Sequence, residues 1–228
     1  MLDRIKAALP SVNEGVPFVH RSVDAGDKSA DIIVKVIDNA VSAFLKFRNH
    51  AANRAFERAI AVLAEAGRAG ARIDFYGVGN SGIVAQDAQH KFFRLGVRAT
   101  AVRDGHVQVM TATMLKPGDC AVLISNSGHS RDLIDVAENA RKKGATLIAI
   151  TASDSPLAQL TQGANQVLLA VDHPDDSERY GPMVSRLLHL LVIDILATAV
   201  ALRLQGDRRP MPQEIKRNLR ARRCVRAG

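Results

Sequence analysis

The chain has few of the residues that build disulfide scaffolds or zinc sites. Its 228 residues include only two cysteines, Cys120 and Cys224, and neither belongs to a CxxC motif or a Cys/His cluster. We therefore expect no disulfide framework and no zinc centre, and the cysteine usage is typical of the reducing cytoplasm.

Long apolar runs are also scarce. The N-terminal segment MLDRIKAALPSV has no apolar stretch of the kind that marks a secretory signal. Residues 187–204 are long enough to suggest a membrane span. However, Asp194 lies in the middle of this run and His189 near its start. The pattern therefore favours a helix buried in a core or a subunit interface.

Net positive charge is small everywhere except at the C-terminus. The formal net charge is +8, and nine of the 31 basic but only two of the 23 acidic side chains lie in residues 203–228. The first 202 residues are therefore almost neutral. A basic tail can contact nucleic-acid phosphates, but the pattern favours a solvated, partly disordered C-terminus.

The remainder, with 47% apolar and 24% charged residues, is typical of a globular domain. Apolar spacing predicts helices over residues 28–48 and 51–66. Strands are predicted at residues 72–77, 97–102, 120–125, 146–151 and 165–170. Helices are predicted at residues 81–95, 104–114, 130–143, 156–160 and 182–205. This alternation predicts an α/β fold, with a five-stranded parallel sheet between helical layers and with Phe92, Phe93 and Met114 in the core.

Ligands of such sheets bind outside the carboxyl ends of the strands, and two turns there are unusual. The first, Gly77-Val78-Gly79-Asn80-Ser81-Gly82, lets the backbone approach an anion and opens a helix. It also satisfies the GxGxxG pattern of dinucleotide-binding proteins, and Asp104 lies near the position of the acidic residue that such a site needs. This turn alone does not decide between the two interpretations.

The second turn, Ser125-Asn126-Ser127-Gly128-His129-Ser130, follows the third strand and precedes a helix. Three hydroxyls and a glycine at a helix N-terminus can bind a phosphate without a positive charge. The alternative is simple helix capping by Ser127 or Ser130, with Asp132 in the first turn. Three serines beside a second Gly/Ser loop favour phosphate binding.

The two turns and their surroundings resemble the sugar isomerase (SIS) fold, in its RpiR-type regulator branch. The resemblance rests on FYGVGNSGIVAQDAQHKFFRLG and LISNSGHSRDLIDVAENARKKGATLIAIT, and it extends from about Lys28 to Gln205. It implies a flavodoxin-like three-layer α/β/α sandwich that dimerises through its helices. It also implies phosphosugar binding with no nucleotide, metal or other cofactor. The phosphosugar-binding residues implied by matching positions are Gly79, Asn80, Ser81, Ser125, Asn126, Ser127, Gly128 and Ser130.

The resemblance also predicts the organisation of the chain. Residues 1–27 resemble the opening helix and the joint of an RpiR-type DNA-binding domain, most of whose helix-turn-helix is missing between them. Residues 28–205 form the SIS domain, and residues 206–228 form the basic tail. DNA would then be a partner only through a missing or separate helix-turn-helix domain.

Two function classes remain open, an effector-sensing domain and a phosphosugar aldose–ketose isomerase. SIS isomerases often read S-x-S-G-x-T-x-E, whereas this chain has Ser130 and Asp132 in place of the threonine and the glutamate. An isomerase needs a positioned base, for which Glu178 is the plausible carboxylate. Other polar residues considered near the site are Asp172, His173, His106, His90 and Arg186. The sequence favours sensing.

Overall fold

The computed structural model describes residues 23–173 and 184–204. Its helices are α1 (Ser29–His50), α2 (Asn53–Ala69), α3 (Gly79–Arg94), α4 (Gly105–Thr113), α5 (Arg131–Lys142), α6 (Pro156–Gln159) and α7 (Val184–Leu204). Its strands are β1 (Arg72–Tyr76), β2 (Arg98–Val102), β3 (Cys120–Ile124), β4 (Thr146–Thr151) and β5 (Gln166–Ala170). Most of the predicted terminal segments, residues 1–27 and 206–228, lies outside the described residues.

The five strands form one parallel sheet in the order β2-β1-β3-β4-β5. The central strand β3 is buried at every position, and its sequence CAVLI has the continuous apolar character of a strand covered on both faces. The edge strand β2 alternates between exposed and partly buried residues before the buried Val102. The predicted α/β sheet and its strand number are confirmed.

Helices cover both faces of the sheet and complete the predicted three-layer sandwich. On one face, α2, α3 and α7 share a core with the inward side chains of β1 and β3, and α1 packs outside α7. On the other face, α4, α5 and α6 enclose a second core around Tyr76, Leu123 and Leu147. Each strand thus contributes alternate side chains to two separate cores.

Helix α7 is long and apolar enough to cross a membrane by length and composition alone. It nevertheless packs against α2 and α3 and buries Leu188, Val192 and Leu196 in the core. Its Asp194 carboxylate lies 2.7 Å from the Lys91 ammonium of α3, which also lies 2.5 Å from Asp87. Lys91 therefore links α3 to α7 through an ion pair. Helix α7 packs as a core helix, as the sequence predicted.

Three local expectations need correction. Helix α2 was predicted to end at residue 66, with Gly67 and Gly70 closing it, but it continues to Ala69, and Gly70 is its left-handed C-cap with φ of +68°. Gly67 stays helical and lies against the Leu204 side chain of α7. Phe93 and Met114, predicted in the core, are 66% and 65% exposed. They lie on the outer faces of α3 and α4, whereas Phe92 packs on Phe75 as expected.

Candidate functional site

The two unusual turns lie side by side at the carboxyl edge of the sheet. The chain leaves β1 toward β2 on one side and returns with β3 on the other side of β1. The loops after β1 and β3 therefore diverge to opposite sides of the sheet, at the point where the strand order reverses. Crevices at such switch points are where open parallel sheets bind ligands.

Backbone contacts shape the first loop. A Cβ at Gly77 would lie 2.5 Å from the Ser81 carbonyl oxygen, so only glycine fits there. Gly79 begins α3 with φ of +55°, a left-handed conformation that favours glycine. Asn80 is exposed and Ser81 half-buried in the first turn of α3, and Val78 provides no side-chain cap.

The second loop folds around a buried serine. The Ser125 N–H donates to the Ile150 carbonyl at 3.0 Å, and its Oγ accepts the Gly128 N–H at 3.0 Å. The Ser125 hydroxyl keeps its own proton as a donor. Ser127, in contrast, is exposed at the tip of the loop, where its hydroxyl can reach a ligand. Asn126 is half-buried between them.

Gly128 docks the second loop onto the turn after β4. It has φ of +66°, and a Cβ there would overlap the Ser155 side chain and lie 2.6 Å from Thr151 Oγ1. Its carbonyl accepts the Leu157 N–H at 3.2 Å. The turn after β4 therefore holds the second loop in place.

The start of α5 bears on the capping alternative. Ser130 occupies the N-cap position, but its side chain makes no capping hydrogen bond. Among the described residues Ser127 Oγ accepts the His129 N–H, at a long 3.4 Å, and no N–H of α5, so it does not cap this helix either. Neither serine hydroxyl therefore caps the N-terminus of α5 in the described residues. The N–H groups at this end of a helix and its positive dipole favour an anion.

Asp104, the acidic residue that the dinucleotide interpretation needs, has a structural role. Asp104 is the N-cap of α4, and its Oδ1 accepts the Val107 N–H at 3.0 Å. Next to it, the buried Gln108 side chain donates to the Gly77 carbonyl at 3.1 Å and to the Val102 carbonyl at 2.9 Å. Asp104 and Gln108 both have structural roles that need no nucleotide.

The carboxylates near the site also have structural partners. A Cβ at Gly105 would lie 2.6 Å from Asp132 Oδ2, so this carboxylate lies against the N-terminus of α4, which its negative charge stabilises. Asp172 Oδ1 accepts the Ser153 N–H at 2.8 Å and joins the turns after β4 and β5. Glu178, the candidate base, lies outside the described residues.

The remaining candidates surround the site without converging on it. His90 is exposed in the third turn of α3, and His106 is exposed at the start of α4. His173 follows β5 and is half-buried, as is Arg186 in the first turn of α7. The described residues bring together the two loops but no histidine pair.

Sequence reasoning missed three residues of this region. Thr151 and Ser155 support Gly128 from the next strand, and Arg103 lies across the first turn of α3, with its Nε 3.0 Å from the position of a Cβ at Gly82. The glycine at position 82 was the sequence signal that a neighbouring side chain, here that of Arg103, could lie against α3. Nothing in the order of the residues pointed to Thr151 and Ser155.

Comparison with known proteins identifies the family of the fold. Residues 68–199 match the family described as SIS domain. The chain is 42% identical over 200 residues to "Bifunctional protein glk" of Burkholderia orbicola, which covers 88% of this chain and 30% of that protein. It therefore spans about a third of the length of these relatives.

Two further comparisons are with a transcriptional regulator and with a solved structure. The chain is 36% identical over 209 residues to the HTH-type transcriptional regulator HexR of Pseudomonas aeruginosa, covering 92% of this chain and 70% of HexR. The structure of Vibrio vulnificus NanR complexed with ManNAc-6P superposes with a TM-score of 0.66 at 23% identity, covering 86% of this chain and 67% of NanR. The NanR likeness shows the shared fold.

Proposed function

The chain belongs to the SIS-domain family, in its RpiR-type regulator branch, and we propose that it is the phosphosugar-binding effector domain of a transcriptional regulator of sugar metabolism. Residues 28–205 form the binding unit in this proposal. A cytoplasmic location fits both a regulator and its sugar-phosphate ligands. The binding residues are those of the two loops, from Gly79 to Ser81 and from Ser125 to Ser130.

The observation that carries the proposal is the pair of loops at the switch point. The side chain of Ser130 leaves α5 uncapped, and Ser127 is exposed beside it. Hydroxyls and N–H groups held in this way donate to the oxygens of a phosphate, and each hydrogen bond to a charged oxygen contributes about 1.5–3 kcal/mol. ManNAc-6P, the ligand in the NanR structure, belongs to the same chemical class.

Sensing is favoured over isomerisation because Asp132 and Asp172, two carboxylates near the loops, are engaged in structural contacts. Asp132 lies against the start of α4 and Asp172 binds the Ser153 N–H. A sensor also gains from binding without turnover, since a consumed effector no longer reports its own concentration. Glu178 keeps the isomerase as the alternative outcome of the test.

We propose further that the chain forms a homodimer through α1. This helix buries only Asn39 and Ala43 and packs on α7 along one side. Its outer side is apolar, with exposed Ile32, Ile33, Val34, Ile37 and Val41. Apolar patches of this kind mark interfaces, and a two-fold dimer is the commonest assembly. DNA contact would come from a helix-turn-helix domain outside the described residues.

A thermal-shift screen tests the proposal directly. Glucose 6-phosphate, fructose 6-phosphate, arabinose 5-phosphate and N-acetylmannosamine 6-phosphate would each be compared with the unphosphorylated sugar. A ligand at a hundred times its Kd stabilises the native state by about 2.7 kcal/mol. We expect at least one phosphosugar, and none of the free sugars, to raise the Tm, with EDTA making no difference.

The same samples separate the two function classes. Phosphosugar interconversion is followed by NMR, and we expect binding with no turnover. Turnover in the usual enzyme range of about 1–10³ per second, abolished by Glu178→Gln, would replace the sensor with an isomerase. A screen in which no phosphosugar shifts the Tm would overturn both.

A further inference from the structure

Arg103 brings a cation to the edge of the sheet where the two loops lie. It directly follows Val102, the last residue of β2, which pairs with Tyr76 of β1. The Gly77 N–H donates to the Val102 carbonyl at 3.3 Å, so the end of β2 is joined to the start of the first loop. One interstrand spacing, about 4.8 Å, separates Arg103 from that loop.

The side chain of Arg103 fits against α3 because residue 82 is glycine. A Cβ at Gly82 would lie 3.0 Å from Arg103 Nε and 3.1 Å from Arg103 Cγ. Any larger side chain would push the arginine away from the first turn of α3. The Arg103 guanidinium is thereby held one residue from Ser81.

The Arg103 guanidinium has a neutral partner that it can give up. Its Nη1 donates to the Gln86 side-chain oxygen at 3.1 Å, on the exposed surface of α3. Within the described parts of the chain it makes no ion pair. Arg131, the arginine at the start of α5, already pairs with Asp135 at 3.0 Å. Of these two arginines, Arg103 is therefore the one without an ion pair among the described residues.

Resting on the proposed function, we propose that Arg103 is a ligand-binding residue of this site. In the structure its guanidinium lies across Gly82 and donates to Gln86. When a phosphosugar binds, it turns from Gln86 to the phosphate. The Gln86 amide is neutral and the phosphate is an anion, so the exchange adds a Coulomb attraction between opposite charges and is favourable. The planar fork of the guanidinium also matches two phosphate oxygens.

Calorimetric titration with glucose 6-phosphate and with inorganic phosphate, at 50 and 300 mM KCl, tests the assignment. We expect Arg103→Ala to weaken glucose 6-phosphate binding by about five- to twentyfold at low salt. Because salt screens exposed charges, we also expect the wild-type affinity to fall with salt and that of Arg103→Ala to change little. Arg103→Lys should keep the salt dependence and only part of the affinity.

Arg98→Ala is the matched control. Arg98 lies on the same strand but at its opposite end, where it donates to the Gly70 carbonyl at 3.3 Å, and its removal lowers the net charge equally. The Arg98→Ala variant should bind glucose 6-phosphate and inorganic phosphate with the wild-type Kd. Equal loss in the Arg98 and Arg103 variants would mean a general charge effect and overturn the assignment. So would an Arg103→Ala variant with the wild-type Kd and salt slope, in which case the proposed function stands. A wild-type chain that binds neither these probes nor any phosphosugar of the thermal-shift screen would overturn both.

Discussion

Gly128 and Ser155 lie in such close contact that a Cβ at position 128 would overlap the Ser155 side chain. Gly128 belongs to the serine loop after β3, and Ser155 is the N-cap of the short helix α6 after β4. Ser155 Oγ also donates to the Ala152 carbonyl at 2.8 Å, which fixes its position. The contact makes the serine loop dependent on its neighbouring turn.

Gly128→Ala should therefore remove both stability and ligand binding. The left-handed backbone alone costs a non-glycine residue about 1–2 kcal/mol, and the overlap with Ser155 adds to this. Gly70→Ala is the control, because Gly70 has nearly the same φ, +68°, but nothing within 4 Å of a Cβ. Urea unfolding should show the larger loss for Gly128→Ala. Equal losses would mean that the docking contact contributes nothing.

Ser127→Ala and Ser125→Ala should separate binding from stability. Ser127 is exposed, so its loss should change the free energy of unfolding by less than about 0.5 kcal/mol and weaken phosphosugar binding at least about tenfold. Ser125 is 6% exposed and accepts the Gly128 N–H, so its loss should also cost about 1–3 kcal/mol of stability. Titration and urea unfolding of both variants measure the two effects. Wild-type affinity in Ser127→Ala would contradict the assigned site.

His189 should make the fold sensitive to acid. Burial lowers the pKa of His189 to about 4, and its Nε2 has no partner among the described residues. The unfolded chain takes up this proton near pH 6.5 and the folded chain does not, so stability falls as the pH falls from about 6.5 to 4. The loss amounts to about 3 kcal/mol.

Urea unfolding between pH 7.5 and 4.5 measures the His189 effect. His189→Leu keeps the apolar packing and removes the titrating group, so its stability should depend on pH less steeply than that of wild type. Parallel pH profiles for the two chains would show that this histidine does not contribute.

Ile37→Asp should dissociate the proposed dimer. Ile37 is 55% exposed in the middle of the apolar side of α1, where a carboxylate in an interface would lose its hydration. Light scattering at micromolar concentration should give twice the chain mass of 24.6 kDa for wild type and one chain mass for the variant. Met114→Asp, at an exposed apolar position at the C-cap of α4, should stay dimeric. A monomeric wild type would rule out the α1 interface.

The sequence was sufficient to predict the three layers of the fold and the positions of the two loops along the chain. Buried parallel strands are short apolar runs, so β3 and β4 could be predicted to within a residue at each end, and the serine turn had to follow β3. Contacts between distant residues could not be predicted in this way. Arg103 lies against Gly82 because β2 and α3 are adjacent, and the apolar pattern of α3 could not show that Phe92 is buried and Phe93 exposed.

The reversal of strand order also affects how a bound ligand acts on folding. Ser81 and Ser127 become neighbours only when β1 and β3 have paired, and the whole of β2 and α4 lies between them in the chain. Closing a chain segment of this length is slow compared with local helix formation. A ligand that bridges both loops meets its site only after this pairing is complete. It therefore slows the unfolding of the chain and leaves the rate of folding unchanged.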